Sequence, residues 1–287
     1  MDDCKALIEK ALDSYLPPED RYPHIIFRAM RYSVLNGGKR LRPILVLAAC
    51  QSVGGDISLA IPLACAVEFV HSFSLIHDDL PALDDDDFRR GKPASHKVFG
   101  EAVAILAGDA LLSLAFETIA RTKGVPADAV LEVCRRIAAA SGAEGMVTGQ
   151  VVDIESEGKK IPPETLEFMH THKTGALIEA SVVCGGLIGG ANQEQLCSLS
   201  HYGKKFGLAF QITDDILDIE GDEAKTGKPV GSDLRKQKST YPALFGLEAS
   251  REMAKRAVDE AIESISGFGP EADLLRVLAH LVVDRST

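Results

Sequence analysis

The longest apolar stretches of this chain repeat with a helical period and are apolar nearly all round. No other feature narrows the fold as much. Segments 42–52, 101–121 and 174–189 lack a broad polar stripe, so each must be surrounded by other helices. Helices are expected over 3–16, 23–36, 42–52, 59–79, 101–121, 127–140, 143–157, 163–172, 174–189, 193–219, 239–248, 251–265 and 271–283. Between them lies helix punctuation: Pro17-Pro18, Gly37-Gly38, Gly54-Gly55, Gly91-Lys92-Pro93, Gly124-Val125-Pro126, Pro162-Pro163, Gly189-Gly190 and Gly267-Phe268-Gly269-Pro270. No segment alternates convincingly as a strand. With no repeat, no low-complexity segment and no long linker, one all-α domain spanning 1–287 is expected.

Composition fits such a core, with 46% hydrophobic and 25% charged residues in 287. The six cysteines (Cys4, Cys50, Cys65, Cys134, Cys184, Cys197) form no C-x-x-C, and most sit in apolar runs. Reduced, buried thiols in a cytoplasmic protein are expected, with neither a disulfide frame nor a zinc site. The amino terminus, MDDCKALIEK, resembles neither a secretory signal nor a transit peptide. The apolar stretches also carry charge, with Glu101, Asp109 and Glu117 in 101–120 and Glu179 in 174–190. No membrane span is expected.

The net charge is -11, which argues against nucleic acid or an anionic membrane as partner. The excess is concentrated. Windows 78–87 and 214–223 hold twelve of the 42 acids and no Lys or Arg, leaving 30 acids against 31 basic residues elsewhere. In the first window, Pro81 lacks an N–H and restrains Leu80, so the helix should stop near Asp79 and the chain should turn. That turn can return Asp84 to Asp78. In the second window a helix stacks Asp214 and Asp218 on one face, with Asp215 adjacent. Acid runs are usually solvated faces. Here both triads end long apolar helices, where the helix dipole disfavours carboxylates and crowding raises their pKa unless a cation is present. Hard oxygen ligands of this kind suit Mg²⁺ shared with substrate phosphates.

Basic groups answer each acidic window. Gly37-Gly38-Lys39-Arg40-Leu41-Arg42-Pro43 places three cations behind two glycines, more than a helix C-cap needs. Arg89-Arg90 follow the first window; Lys225, Lys228, Arg235, Lys236 and Lys238 follow the second. His71 shares a helical face with Asp78, and Glu68 and Ser72 lie near that polar stripe, which suggests a lined cavity. His170 and His172, two residues apart, should point different ways and are not expected to form a metal pair. Lys173-Thr174 open an apolar helix, where capping alone would explain them. Gln211 stands one turn before Asp215. Together these groups suit a diphosphate leaving an apolar carbocation, with metals stabilising the departing charge and a dry cavity excluding water.

At these residues the chain resembles the trans-prenyltransferases, the short-chain isoprenyl diphosphate synthases. The motifs are GGKRLRP, LIHDDLPALDDDDFRRGKP, LAGDALL, KTGALIEAS and QITDDILD with TGKPVGSDLRKQKSTYP, running from about Tyr32 to Tyr241. The resemblance implies an orthogonal all-α bundle around a deep apolar cavity, and a homodimer. It implies that Asp78, Asp79 and Asp84, and Asp214, Asp215 and Asp218, bind Mg²⁺ on the allylic diphosphate. Three ions are implied once diphosphate is bound, with Mn²⁺ as an alternative. Arg89, Lys173 and Lys228 are expected to assist, with Gln150 and Asp153 near the metal site. Lys39, Arg42, His71 and Arg90 match the isopentenyl diphosphate pocket. Thr174 and Gln211 match groups lining the carbocation, with Lys238 near the second motif. The departing pyrophosphate would serve as the base, so no His or Glu general base is required.

Ser74 lies one turn below Asp78, and Phe73 lies five residues before it, roughly 7.5 Å deeper along the helix. An aromatic there, with the DDxxxxD spacing, resembles bacterial farnesyl diphosphate synthases and implies a C15 product. If Phe73 instead packs in the core facing away, a C20 geranylgeranyl product is the alternative. A terpene cyclase takes one substrate and has no use for GGKRLRP. A non-catalytic regulatory subunit should have lost a triad or the Arg pair, and a plain acidic cation binder leaves the basic clusters unexplained.

Overall fold

A computed structural model of the chain describes residues 2–220 and 238–284. Its helices are α1 (Asp2–Tyr15), α2 (His24–Val34), α3 (Leu41–Ser52), α4 (Ile57–Asp78), α5 (Ser95–Phe99), α6 (Glu101–Ala120) and α7 (Ala127–Ser141). They continue as α8 (Met146–Ser156), α9 (Pro163–His170), α10 (Ala176–Ile188), α11 (Gln193–Glu220), α12 (Tyr241–Phe245), α13 (Leu247–Ser264) and α14 (Asp273–Asp284). The fold is all-α, as the helical period requires.

Of the helices apolar all round, α3 and α10 are central, whereas α6 leaves Ile105 and Leu106 exposed, against the expectation that other helices surround it. α10 lies against α3 and α11, α4 against α3 and α6, and α11 along α13. One continuous core takes Leu12 from α1, Val67 from α4, Leu111 from α6, Val182 from α10 and Leu278 from α14, each 2% exposed or less. Full burial of such a side chain contributes about 1.5–3 kcal/mol. A smaller cluster of Leu166, Met169, Ile212, Ile216, Tyr241 and Ala254 supports the acidic end of α11.

Several boundaries differ from expectation. α4 starts at Ile57 because Asp56 caps it, accepting from Ser58 N at 2.9 Å. The break expected near Lys173 is instead a π-helical turn, Thr171–Gly175, continuous with α9 and α10. Two-residue strands β1 (Phe88–Arg89) and β2 (Lys92–Pro93) form an antiparallel ribbon that no periodicity signalled. Of the cysteines, all free, only Cys50, Cys65 and Cys184 are buried; Cys197 is exposed.

Helices α4 and α6, at 22 and 20 residues and mean hydropathy 1.8 and 1.7, are long and apolar enough to cross a membrane despite their charges. Within the fold α4 is enclosed by α3, α6 and α10. Its Glu68 is buried in an ion pair.

Candidate active site

The first acidic triad forms as the chain leaves α4. Asp79 caps the helix, with its N–H donating to Leu75 O at 3.1 Å. The turn enforced by Pro81 brings Asp84 N to Asp78 O at 2.8 Å. The β1–β2 ribbon then returns cations to the carboxylates. Its two central residues, Arg90 and Gly91, have φ of 55 and 76°, the left-handed pair of a tight hairpin turn. Arg89 Nε donates to Asp79 Oδ1 at 2.9 Å, and a second guanidinium nitrogen donates to the same oxygen. Arg90 turns the other way and donates to Gly37 O. Asn36 Nδ2 anchors the ribbon on Arg89 O at 3.2 Å. The hairpin went unseen in the sequence, although Arg90-Gly91 between Phe88-Arg89 and Lys92-Pro93 was its signal.

The second triad lies on the last turns of α11. Gln211 links it to the π-helical turn, accepting from Thr174 Oγ1 at 2.9 Å and donating to Asp215 Oδ1 at 3.0 Å. Asp215 Oδ2 accepts from Tyr241 N at 3.0 Å, with His170 Nε2 at 3.6 Å. His170 also stacks on the Tyr241 ring at 5.5 Å between centroids. His172 points away, with Nδ1 on Phe168 O at 2.7 Å, so the two histidines are indeed no pair. His170 and Tyr241 were not anticipated as neighbours of Asp215. Nothing local signals a contact across 45 residues.

Lysines tie the first motif to α8 and the π-helical turn. Lys173 Nζ donates to Asp153 Oδ2 at 2.5 Å, and Lys238 Nζ lies 3.3 Å from both Asp153 Oδ2 and Asp84 Oδ1. The contacts described for Lys238 therefore reach Asp84 of the first motif and Asp153 of α8. α8 can bring Asp153 this close because of Gly149, where a Cβ would lie 2.1 Å from Lys173 N. The two ammonium groups hold the Asp153 carboxyl below its ordinary pKa despite burial. Asp78 goes the other way. Burial raises its pKa; Lys173 opposes, and the charges of Asp84 and Asp79 add to the rise. A bound divalent cation would relieve this. Asp78, Asp84, Asp214 and Asp218 are at least partly exposed, whereas Asp79 is buried on Arg89 and Asp215 on Gln211 and Tyr241. The all-oxygen donor set suits Mg²⁺.

A separate cluster of cations surrounds His71. Burial lowers the His71 pKa well below normal, and the nearby Arg42, Arg90, Arg89 and Arg40 lower it further. His71 is therefore neutral at ordinary pH. The Nε of Arg42 is buried with no partner among the described residues. Arg42 and His71 thus gather beside Arg90, while Lys39 stands exposed two residues before α3. Arg40 does not join them. It is 1% exposed, and its guanidinium donates to Glu68, Glu9 and Val34 O. Of three cations expected to meet an anion, one is structural. Glu68 is correspondingly its partner and no cavity liner.

Phe73 is half-buried on α4 and meets the His77 ring edge-on at 4.8 Å, and His77 Nε2 contacts Ile105 O of α6 at 3.2 Å. Ser74 Oγ donates to His71 O at 2.9 Å. Lys228, with Lys225, Arg235 and Lys236, lies outside the described residues.

The profile of the polyprenyl synthetase family matches residues 23–279. Among curated relatives, a dimethylallyltranstransferase of Fischerella ambigua is 50% identical, over 97% of this chain and 81% of that one. The farnesyl diphosphate synthase of Geobacillus stearothermophilus is 45% identical, over 99% and 96%. The crystal structure of a geranylgeranyl pyrophosphate synthetase from Pyrococcus horikoshii superposes with a TM-score of 0.90 at 36% identity, over 99% and 98% of the two chains.

Proposed function

Because the chain belongs to the polyprenyl synthetase family of prenyltransferases, we propose that it condenses isopentenyl diphosphate with dimethylallyl and geranyl diphosphate to give farnesyl diphosphate and pyrophosphate. The observation that carries this reading is the pairing of two acidic helix ends, Asp84 linked through Lys238 and Asp153 to Lys173 of the π-helical turn and Asp215 linked through Gln211 to Thr174 of the same turn, with a separate cluster of Arg42, Arg90 and His71. One substrate diphosphate would lie on each.

In this reading Asp78, Asp79, Asp84, Asp214, Asp215 and Asp218 would hold Mg²⁺, which would supply charge stabilisation to the departing diphosphate. Lys173 and Lys238 add fixed positive charge beside it. Arg42 and Arg90 hold the isopentenyl diphosphate with charge-assisted hydrogen bonds. Neutral His71 can donate one hydrogen bond without adding repulsion between the guanidiniums. Thr174 and Gln211 present oxygen dipoles toward an allylic cation, and Asp215 fixes the amide of Gln211. Proton loss to pyrophosphate ends the cycle. We read 1–287 as one domain, since one core draws on helices from α1 to α14. Exposed Ile105 and Leu106 on α6 and Val147 and Val151 on α8 support a homodimer. Free thiols suit a cytoplasmic setting.

A C15 product rests on Phe73, with a C20 product as the alternative because relatives carry both names. Its packing beside His77, against α6, supports a closed floor. Incubation with Mg²⁺, isopentenyl diphosphate and dimethylallyl diphosphate should yield mainly C15. Phe73→Ala should shift the main product to C20 or longer. A variant still stopping at C15 removes Phe73 from this role, and no elongation with any allylic primer removes the whole proposal.

Gly38 offers a milder test. Its φ is +125°, and a Cβ there would lie 2.6 Å from Arg90 Cζ. Gly38→Ala should push Arg90 off its anion. Loss of one charge-assisted contact of about 1.5 kcal/mol predicts a KM for isopentenyl diphosphate raised roughly tenfold, with the KM for the allylic substrate unchanged. Equal rises in both would sink the assignment.

A further inference from the structure

Beyond the two acidic motifs, Asp85, Asp87 and His96 each bring one ligand atom within 4.8 Å of the other two. Asp85 and Asp87 are exposed on the loop after Asp84; His96, in α5, is 6% exposed. Both ring nitrogens of His96 are buried without a hydrogen-bond partner among the described residues. A buried imidazole ordinarily satisfies at least one nitrogen, so a side chain this well enclosed and facing two carboxylates lacks the group that would complete it.

We propose that Asp85, Asp87 and His96 form a second metal site, separate from the Mg²⁺ site, for a divalent transition ion of the zinc class. Two carboxylate oxygens and one imidazole nitrogen suit Zn²⁺, Co²⁺ or Mn²⁺, whereas Mg²⁺ prefers an all-oxygen shell. Ligand atoms about 2.0–2.2 Å from such an ion stand about 3–3.5 Å apart. The exposed carboxylates can close that gap by rotation while His96 stays fixed. The backbone already holds the parts in register, through Asp85 N to Leu80 O at 3.1 Å and Ala94 N to Asp87 O at 2.8 Å. Lys97 Nζ, 2.6 Å from Asp87 Oδ1, now supplies positive charge there and is free to swing into solvent. A bound ion would fasten the loop between Asp84 and Arg89 onto α5.

The test uses the full-length, metal-stripped protein in a large excess of Mg²⁺, titrated with Co²⁺ and followed by its visible ligand-field absorption. One saturable equivalent is expected, displaced by Zn²⁺. Its affinity should fall at least tenfold in His96→Gln and in Asp87→Asn, and persist in Asp214→Asn. The proposal is overturned if no equivalent survives the Mg²⁺ excess. It is equally overturned if Asp87→Asn binds as the parent does, or if Asp214→Asn abolishes the signal, which would place the ion in the acidic motifs. His96 is buried, so its variant counts only if its circular dichroism matches the parent; Asp87 is exposed and its variant decides the matter otherwise.

Discussion

Arg40→Ala is expected to destabilise the protein by about 3–5 kcal/mol, the usual cost of removing one partner from a buried ion pair. The guanidinium and the Glu68 carboxylate are 0 and 2% exposed and lie 2.5 Å apart; Glu9, 33% exposed, closes the other side. Deleting Arg40 leaves Glu68 charged in the core, or forces it to take a proton. It also strips Val34 O, at the end of α2, of its donor at 2.7 Å. Thermal unfolding should shift down by on the order of 10 °C. Glu68→Gln should cost less, because the amide oxygen still accepts from Arg40. An Arg40→Met/Glu68→Leu double variant should recover most of the loss, since apolar replacement of a whole buried pair is often neutral. An Arg40→Ala protein melting within about 2 °C of the parent would show that the pair is solvated.

The same arginine marks where sequence stops specifying structure. Helical period and Gly and Pro punctuation located nearly every helix, and Pro81 alone sufficed to place the turn that returns Asp84 to Asp78. Helices apolar nearly all round, however, do not tell which neighbour each face meets. The pairing of Arg40 with Glu9, 31 residues away, was therefore invisible, and Arg40 looked like one more phosphate ligand. The approach of His170 to Asp215 was hidden for the same reason. Chemistry was more legible than packing. Residue types crowded against their own electrostatics, such as carboxylates at helix C-termini, are conspicuous in one dimension, whereas a satisfied salt bridge looks ordinary until the partners meet. The π-helical turn also escaped notice, because Lys173-Thr174-Gly175 resembles a break between helices and is instead a widened turn within one.

Asp78→Asn should abolish activity while leaving the fold as stable as before, or more so. Burial and the neighbouring Asp84 and Asp79 charges raise the Asp78 pKa in the folded state, with Lys173 and Arg89 only partly compensating. For a carboxyl with a raised folded pKa, stability falls as pH rises from the unfolded value through the folded one, and the cost persists at neutral pH. Asparagine removes that cost. It equally removes the anionic oxygen that the proposed chemistry needs, so kcat should drop by about three orders of magnitude, in line with other losses of preorganised transition-state charge. Asp79→Asn should be inactive too, and for a second reason besides the lost ligand. Its carboxylate, 3% exposed, holds Arg89 at 16%, and losing it leaves a guanidinium without its buried partner, so the melting temperature should fall. Melting curves of the two variants at neutral pH, beside their turnover rates, separate the roles. An Asp78→Asn protein that is clearly less stable than the parent, or that retains more than about a tenth of its kcat, would mean that Asp78 supports the fold and is not held in readiness for a metal.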